Sequence, residues 1–188
     1  MVFVLWRSHL LVIDGLSITG VTAWKYGMAW AGTALLVGFF EESLLRGYLQ
    51  FTLSRGIGFW PAAVLLSLAF ALFHISNGGE SLLGLLVVAL GGLVFGLSLW
   101  LIKSLWWAIG FHAGWDWGQS YLYGTPDSGL LTEGYLLSSH PVGHPLWSGG
   151  ATGPEGSILI MPLLLLIAIG MWLWWERSKE HQATSSIG

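Results

Sequence analysis

Six ionisable side chains stand inside apolar stretches of the sequence, where a charged group is costly. Three separate segments contribute them, and the six residues are Glu41, Glu42, Arg46, His74, His112 and Asp116. A charge at the centre of a bilayer costs about 2.5–3.5 kcal/mol on insertion scales, so such residues normally face a protein interior and serve a function. A carboxylate and an imidazole in one water-containing pocket can activate water for hydrolysis. The residue types therefore favour a buried hydrolytic site.

Helical spacing divides these residues into pairs. Glu42 and Arg46 are four residues apart, so they share a helix face and are expected to pair. Glu41 lies about 100° around the same helix, which leaves its carboxylate free for another partner. His112 and Asp116 are also four residues apart, which places an imidazole beside a carboxyl group. Burying these polar stripes together with His74 requires that their helices converge on one pocket.

The composition indicates that lipid surrounds these helices. Of the 188 residues, 54% are hydrophobic and only 9% are charged, whereas a soluble domain carries about 25% charged residues. Thirteen tryptophans suit the headgroup region of a membrane. The net charge of -3 includes no basic block, which argues against nucleic-acid binding. The absence of cysteine excludes disulfides, thiolate catalysis and Cys-ligated zinc.

The apolar stretches predict an all-α, polytopic transmembrane bundle of about six spans, since about 20 apolar residues cross a bilayer. The predicted spans cover residues 9–24, 27–52, 57–75, 81–102, 104–123 and 157–175. The predicted regions are an N-terminal span (1–25), a catalytic helical core (26–125), a Gly/Pro-rich loop (126–156) and a C-terminal span with a polar tail (157–188). The tail from Glu176 is expected to be disordered. Glycines 91, 92 and 96 favour close helix approach.

The distribution of basic residues predicts a multi-pass protein of the cell membrane with both termini in the cytoplasm. With six spans, only Lys25 lies on the outer side, and five basic residues lie on the inner side: Arg7, Arg55, Lys103, Arg177 and Lys179. The long connection over 124–156 then lies outside, where its turns are expected to form a lid. Its histidines, His140 and His144, are more typical of solvated side chains than of a metal site, because adjacent prolines oppose their alignment on a helix.

Three short motifs resemble those of the CPBP family of intramembrane proteases, which includes CAAX proteases and bacteriocin-processing, Abi-type enzymes. They are Glu41-Glu42-Ser43-Leu44-Leu45-Arg46, Phe70-Ala71-Leu72-Phe73-His74 and His112-Ala113-Gly114-Trp115-Asp116. Each motif is short, but their order on successive polar helices covers roughly residues 28–125. Residues 117–156 also resemble one bacterial branch of the family. The resemblance therefore rests on three motifs together.

The resemblance implies an intramembrane endopeptidase that hydrolyses a membrane-associated protein or peptide. Glu41 and His74 would activate the water, while His112 and Asp116 would stabilise the oxyanion. The Glu–Arg pair of the first motif would support the site. No cofactor is then required. In the alternative, Zn²⁺ would be held by Glu41, His74 and His112, although the lack of a helical H-x-x-x-H ligand pair favours the metal-free enzyme.

Asp116 departs from the family pattern, in which the third motif can end in asparagine. An ionised aspartate would repel an oxyanion. Asp116 is therefore expected either to be protonated in its apolar setting or to orient His112, which would then be the only donor. Substrates of the C-a-a-X type are cytoplasmic, whereas the predicted orientation puts His74 nearer the external side. A bacterial enzyme without prenylated substrates fits that orientation.

Other functions stay open at this point. A family member without protease activity would act as an immunity or regulatory protein, and a small proton-coupled transporter would also bury glutamate, histidine and aspartate. A serine mechanism on Ser43 or Ser67 lacks an evident base, and an aspartate dyad would need the distant Asp14. The H-E-x-x-H and G-x-S-x-G signatures do not occur. The expected partners are membrane lipid and a membrane-associated substrate.

Overall fold

The computed structural model describes residues 1–185, and most of them are helical. Two of the helices continue into π-helical segments, which we call π1 and π2. In chain order the elements are α1 (Val2–Arg7), β1 (Leu11–Leu16), α2 (Gly20–Glu42), π1 (Ser43–Leu49), α3 (Gln50–Ile57), α4 (Phe59–His74), α5 (Leu82–Ile102), α6 (Trp106–Asp116), π2 (Trp117–Tyr123), β2 (Leu137–Pro141), α7 (Pro145–Ser148), two 3₁₀ turns (Gly150–Thr152 and Pro154–Gly156) and α8 (Ile160–Ser185).

α5 is the central helix of the bundle and the most apolar one, with a mean hydropathy of 2.5. It begins at Ser81, whose hydroxyl accepts a hydrogen bond of 3.0 Å from the backbone N–H of Gly84, as is usual for an N-cap. It ends at Lys103, which adopts a left-handed conformation. Its two sides pack against α4 and α8. Burial on both sides explains why this helix contains no ionisable residue.

α2 packs against α6, and a glycine sets the distance between them. A Cβ atom on Gly38 would lie 3.1 Å from the carbonyl oxygen of Ile109 and 3.2 Å from the backbone nitrogen of Ala113. Glycine thus allows the two backbones to touch, as small residues do where membrane helices cross. The contact lies one turn from Glu41 and Glu42. It therefore brings the first polar motif next to the third.

In α5, the predicted close approach holds for two of the three glycines. A Cβ atom on Gly92 would lie 2.6 Å from Nη2 of Arg46, and one on Gly96 would lie 3.4 Å from Cβ of Ala63. Gly91 has no such neighbour within 4 Å among the described residues. Gly92 thus makes room for the guanidinium group of the first motif.

One end of the bundle is covered by residues 1–19, 75–81 and 124–159, which we call the cap. β1 and β2 pair there as a two-stranded antiparallel sheet with an irregular register around Asp14. An apolar cluster around Leu5 joins the N-terminal segment to Tyr123 and Leu159. Hydrogen bonds also link the cap segments to one another, for example from the N–H of Gly79 to the carbonyl oxygen of Gly129. The cap is therefore one connected layer.

The predicted first span over 9–24 is wrong, because residues 11–16 form a strand of the cap and the helix begins only at Gly20. Gly15 has a φ of +137°, which is incompatible with a helix. The strand instead satisfies its backbone groups by pairing with β2. The apolar residues that suggested a span belong to the cap cluster.

The other five predicted spans correspond to observed helices, but six spans are not confirmed. Three helices in the described residues are long and apolar enough to cross a membrane: Gly20–Ile57, Leu82–Ile102 and Ile160–Lys179. A shorter apolar helix covers Phe59–His74. The expectation of disorder from Glu176 is wrong up to residue 185, since α8 continues to Ser185. The last residues of the predicted tail, 186–188, lie outside the described part of the chain.

The N-terminal segment and the last described turn of α8 lie at opposite ends of the bundle. The N-terminal segment packs beside Leu159, just before α8 begins. α8 then runs for 26 residues, which at 1.5 Å per residue is about 39 Å. The prediction that both termini lie on the same side of the membrane is therefore not supported. That prediction depended on counting the strand of the cap as a span.

Candidate active site

Two polar motifs stand where an α-helix changes into a π-helix. π1 begins directly after Glu42, and π2 begins directly after Asp116. π-helical turns are rare, and they occur frequently at functional sites. Glu42 and Arg46 stay in contact across the start of π1. The irregular geometry is therefore located at the predicted site.

Glu42 is the buried centre of the polar network. Its Oε1 accepts a hydrogen bond of 3.1 Å from Nη1 of Arg46 and one of 3.0 Å from Nδ1 of His112. The guanidinium carbon of Arg46 lies 4.5 Å from the ring centroid of Phe70 and 5.3 Å from that of Phe95, in the range of cation–π contacts. The predicted Glu42–Arg46 pair is confirmed. Its additional bond to His112 joins two motifs that are 70 residues apart.

The bond to Glu42 fixes which nitrogen of His112 faces the site. A carboxylate oxygen only accepts hydrogen bonds, so Nδ1 of His112 carries a proton. Nε2 then points to the other side, 3.8 Å from Oε2 of Glu41 and 3.6 Å from Oδ2 of Asp116. The ring stacks on Phe95 with its plane inclined by 19°. Three carboxyl groups, those of Glu41, Glu42 and Asp116, therefore surround this imidazole.

His74 is oriented by its own helix. Its Nδ1 lies 2.9 Å from the carbonyl oxygen of Phe70, which can only accept, so Nδ1 carries the proton. In the neutral ring Nε2 is then an acceptor. The Phe70 ring lies edge-on between the two imidazoles, with centroids 4.9 Å from His74 and 5.9 Å from His112. The second motif thus places its histidine and its phenylalanine around one space.

A cavity of about 380 Å³ joins these side chains. All four predicted catalytic residues line it: Glu41, His74, His112 and Asp116. Glu42 and Arg46 lie behind this lining and are 0% and 3% exposed. Three buried polar atoms of the first motif have no hydrogen-bond partner among the described residues: Oε2 of Glu41, Oε2 of Glu42 and Nη2 of Arg46. The predicted convergence of the three motifs is therefore present in the structure.

Comparison with protein-family models matches residues 22–118 to the family described as Type II CAAX prenyl endopeptidase Rce1-like. The matched region covers just over half of the chain and contains all three motifs. The chain belongs to this family. No curated protein and no solved structure matches it significantly. Membership in the Rce1-like, CPBP-type family supports a membrane-embedded peptidase.

Glu155 is a residue of this Rce1-like site that the sequence did not reveal. Its Oε1 accepts hydrogen bonds from Nε1 of Trp115, at 2.6 Å, and from Nε2 of Gln119, at 3.2 Å. Its Oε2 accepts two bonds from Ser128, one from the backbone N–H and one from the hydroxyl group. The turn-rich sequence around Glu155 predicted a loop. It did not indicate the hydrogen-bond partners of Glu155, which lie 27 to 40 residues away in the sequence. Glu155 ties the cap to the helix that carries His112.

Asp127 adds another carboxyl group at the cap end of the cavity. It accepts hydrogen bonds from Nε2 of Gln119, at 3.1 Å, and from the hydroxyl group of Ser120, at 3.2 Å. Burial raises the pKa of Asp127 well above its ordinary value, and the nearby charges of Asp116 and Glu155 raise it further. This carboxyl group therefore keeps its proton to higher pH than an ordinary aspartate.

The side chains proposed for zinc do not form a ready metal site. Among the described residues, no three His, Cys, Asp or Glu side chains lie close enough together to hold a metal ion. Nδ1 of His112 is bonded to Glu42 and Nδ1 of His74 to a backbone carbonyl, which leaves Nε2 as the available nitrogen of each ring. We therefore derive no step through a metal. The zinc set of Glu41, His74 and His112 stays a prediction that chelation can test.

The residues of the other sequence-based alternatives do not pair with the predicted catalytic side chains. In the part of the chain that the structure describes, neither Ser43 nor Ser67 hydrogen-bonds to a histidine or a carboxylate. Asp14 lies in the cap sheet, where its Oδ2 is 3.0 Å from Nδ1 of His140. His144 instead caps α7 by accepting a bond from the N–H of Leu146. These groups are not placed to assist Glu41.

Proposed function

We propose that this chain is an intramembrane endopeptidase that hydrolyses a peptide bond of a membrane-associated protein or peptide. Family membership supports a peptidase. The observation that carries the finer assignment is the position of Oε2 of Glu41, 3.8 Å from Nε2 of His112 in a cavity that His74 also lines. A buried carboxylate oxygen without a protein partner is suited to hold a water molecule at the reacting position.

In the proposed reaction, Glu41 is the general base. It takes a proton from the water as the water oxygen attacks the carbonyl carbon, while Nε2 of His74 orients the water by accepting its second hydrogen. The new C–O bond produces a tetrahedral oxyanion. The C–N bond then breaks, and the proton held by Glu41 passes to the leaving nitrogen. The products are a carboxylic acid and an amine, and the carboxylate is regenerated.

His112 is the proposed donor to the oxyanion. Its Nδ1 proton is already committed to Glu42, so donation from Nε2 requires the doubly protonated ring, which the carboxylates of Glu41 and Glu42 stabilise. Asp116 is proposed as a second, protonated donor. Two distances support this role over an orienting one: Nδ1 of His112 is bonded to Glu42 at 3.0 Å, whereas Oδ2 of Asp116 lies 3.6 Å from Nε2. Orientation of the ring is thereby assigned to Glu42.

We also propose that the cap faces outward and the C-terminal end of α8 faces the cytoplasm. Only Arg7 and Lys25 lie near the cap end of the bundle, and four basic residues lie near the opposite end: Arg55, Lys103, Arg177 and Lys179. Cytoplasmic segments carry the excess of basic residues. Residues of the cap line one part of the cavity. In this orientation it is reached from the outer half of the membrane, which argues against cytoplasmic prenylated substrates.

The test is cleavage of a peptide library by the purified protein in lipid vesicles, analysed by mass spectrometry. We expect the wild-type protein to give defined products and Glu41→Gln to give none, with an unchanged unfolding midpoint. Glu176→Gln is the matched control, since this exposed carboxylate of α8 lies outside the cavity. The same reactions with a chelator test the zinc alternative, which predicts loss of activity.

The alternatives predict other outcomes of the same assay. A regulatory member of the family would give no products with either protein and would keep its partner binding in Glu41→Gln. A proton-coupled transporter would also give no products, but the Glu41→Gln variant would lose proton flux across the vesicle membrane. Products that form equally well with wild type and Glu41→Gln would contradict the assignment of the general base.

A further inference from the structure

Asp116 has no hydrogen bond that holds it beside His112. Among the described residues, no donor binds its carboxyl group, and its Oδ2 stays 3.6 Å from Nε2 of His112, which is beyond ordinary hydrogen-bond length. The residue before it is fixed, because Nε1 of Trp115 donates a hydrogen bond of 2.6 Å to Oε1 of Glu155. The position of the Asp116 carboxyl group therefore depends on how the helix around it is held.

One face of this helix is held by α2. Just after Asp116, Nε1 of Trp117 donates to the carbonyl oxygen of Gly27 at 3.0 Å, and the hydroxyl group of Tyr121 donates to that of Ala23 at 2.8 Å. Donors and acceptors are each four residues apart, so the two bonds lie along one face of each helix. A Cβ atom on Gly27 would lie 2.9 Å from the hydroxyl oxygen of Tyr121, so glycine allows this close contact.

Another face is held by Glu155. Its Oε1 binds Trp115 and also accepts a bond of 3.2 Å from Nε2 of Gln119. These two donors precede Trp117 and Tyr121 by two residues each, which is about 200° around a helix. Oε2 is bound by the N–H and the hydroxyl group of Ser128 at 2.9 and 2.6 Å. One buried side chain thus connects α6, π2 and the cap.

Asp127 gives the cap a second contact with π2, but this contact lies further from the reacting end. Its two oxygens accept bonds from Gln119 and Ser120, and both donors belong to π2. Glu155 also reaches α6, at the residue next to Asp116. Because π-helical bonding is rare, contacts from outside the helix are expected to maintain it. Glu155 is therefore the cap carboxylate best placed to fix the junction of α6 and π2.

We propose that Glu155 is a positioning residue for the oxyanion donors. It holds the junction of α6 and π2 through Trp115 and Gln119, and it thereby keeps Asp116 beside Nε2 of His112. Without this acceptor, the helix is held at its α2 face but not at Trp115, so it can turn about the α2 contacts. Misplacement of a catalytic group by about 1 Å can lower a rate about 100-fold. This inference rests on the proposed function and adds to it a residue outside the three motifs.

Substitutions on both sides of the contact test this role. Trp115→Phe removes the donor and keeps an aromatic ring that can stack on Phe111, as the indole does. Glu155→Ala removes the acceptor, whereas Glu155→Gln keeps one oxygen that can accept from Trp115. The matched control is Asp14→Asn, because this cap carboxylate is bonded to two cap residues but does not line the cavity.

The first readout is steady-state cleavage of a library-derived peptide in lipid vesicles. We expect kcat to fall about 10- to 100-fold in Trp115→Phe and in Glu155→Ala. KM should change much less, because oxyanion donors act in the transition state. Glu155→Gln should retain more activity than Glu155→Ala. The double variant Trp115→Phe/Glu155→Ala should be no slower than Glu155→Ala, because both changes break the same contact.

The second readout is hydrogen–deuterium exchange of the backbone, which requires no substrate. Residues 115–123 should exchange faster in Trp115→Phe and Glu155→Ala than in wild type, and Asp14→Asn should leave their exchange and kcat unchanged. Unchanged exchange of 115–123 in both variants would overturn the proposal. So would losses in kcat that add up in the double variant, or an equal loss in Asp14→Asn.

The two proposals fail in different ways in these experiments. A protein that cleaves peptides, with kcat indifferent to Trp115→Phe and Glu155→Ala, supports the hydrolase and contradicts the positioning role. A wild-type protein that cleaves no peptide contradicts the hydrolase and with it a catalytic role for Glu155, while faster exchange of 115–123 in the variants would still support the hold of Glu155 on α6.

Discussion

Replacing Asp116 by asparagine exchanges a carboxyl group for an amide of the same shape beside Nε2 of His112. The expected result depends on what the carboxyl group does. If it donates to the oxyanion in its protonated form, asparagine also donates, and kcat/KM should stay within about tenfold of wild type, since one donor replaces another. If it orients His112, asparagine should reduce activity severely. The distances favour the first role, because Glu42 already binds Nδ1 of His112.

The size of the effect follows from the same geometry. Oδ2 of Asp116 lies 3.6 Å from Nε2 of His112. An oxyanion that accepts a hydrogen bond from Nε2 would lie at about the same distance from an ionised Asp116. Two unit charges at that distance interact by about 5 kcal/mol at an effective dielectric constant near 20. Asp116→Asn therefore leaves the rate unchanged or raises it. Asp116→Ala removes the donor, and loss of one oxyanion donor lowers kcat about 100- to 1000-fold.

The assay is the initial rate of cleavage of a library-derived peptide, measured for wild type, Asp116→Asn and Asp116→Ala in the same vesicles. Thermal unfolding midpoints show whether each variant is folded. A hundredfold loss in a folded Asp116→Asn protein would refute the donor role. A rate increase in Asp116→Ala would indicate that the wild-type carboxyl group is ionised and repels the oxyanion.

Four further variants test the surroundings of the site. Glu42→Gln replaces the carboxylate that accepts hydrogen bonds from Arg46 and His112 by a neutral amide, so we expect about 2–3 kcal/mol less unfolding free energy and a changed pH–rate profile. Gly38→Ala should separate α2 from α6 and cost about 1–3 kcal/mol, whereas an alanine at Gly32 meets no atom within 4 Å and serves as its control. Glu155→Leu leaves buried donors unpaired, at about 1–3 kcal/mol each, and should lower the unfolding midpoint. Asp127 has a folded-state pKa above its unfolded value of 3.8, so its contribution to stability falls as pH rises from 3.8 through the raised pKa. Asp127→Asn should remove that part of the pH dependence of the unfolding midpoint.

The sequence predicted the parts of the fold that depend on local patterns. Long apolar stretches located five of the main helices, and spacing of four residues paired Glu42 with Arg46. Residue type in apolar surroundings selected six side chains, and four of them line the cavity. These predictions succeeded because helix periodicity and the cost of burying charge are both visible in a single sequence.

The remaining features depend on contacts between distant residues. β1 looked like part of a span because an apolar run surrounds Asp14, and its partner strand lies more than 120 residues away. Glu42 seemed satisfied by Arg46, so nothing indicated that it also binds His112. The carboxylate of Glu155 has partners on both α6 and the cap. No local sequence signal indicated the two π segments.

The unpartnered polar atoms of Glu41, Glu42 and Arg46 carry a consequence for heat resistance. Each buried polar group without a partner costs about 1–3 kcal/mol, and all three lie within six residues of one helix. Glu42 and Arg46 each have a second atom in the buried ion pair, so only at Glu41 would an apolar substitute make the bundle harder to unfold while removing its chemistry. A selection of random variants for survival at high temperature should therefore enrich inactive proteins altered at Glu41. The residue that performs the proposed reaction is thus one whose loss the fold would tolerate well.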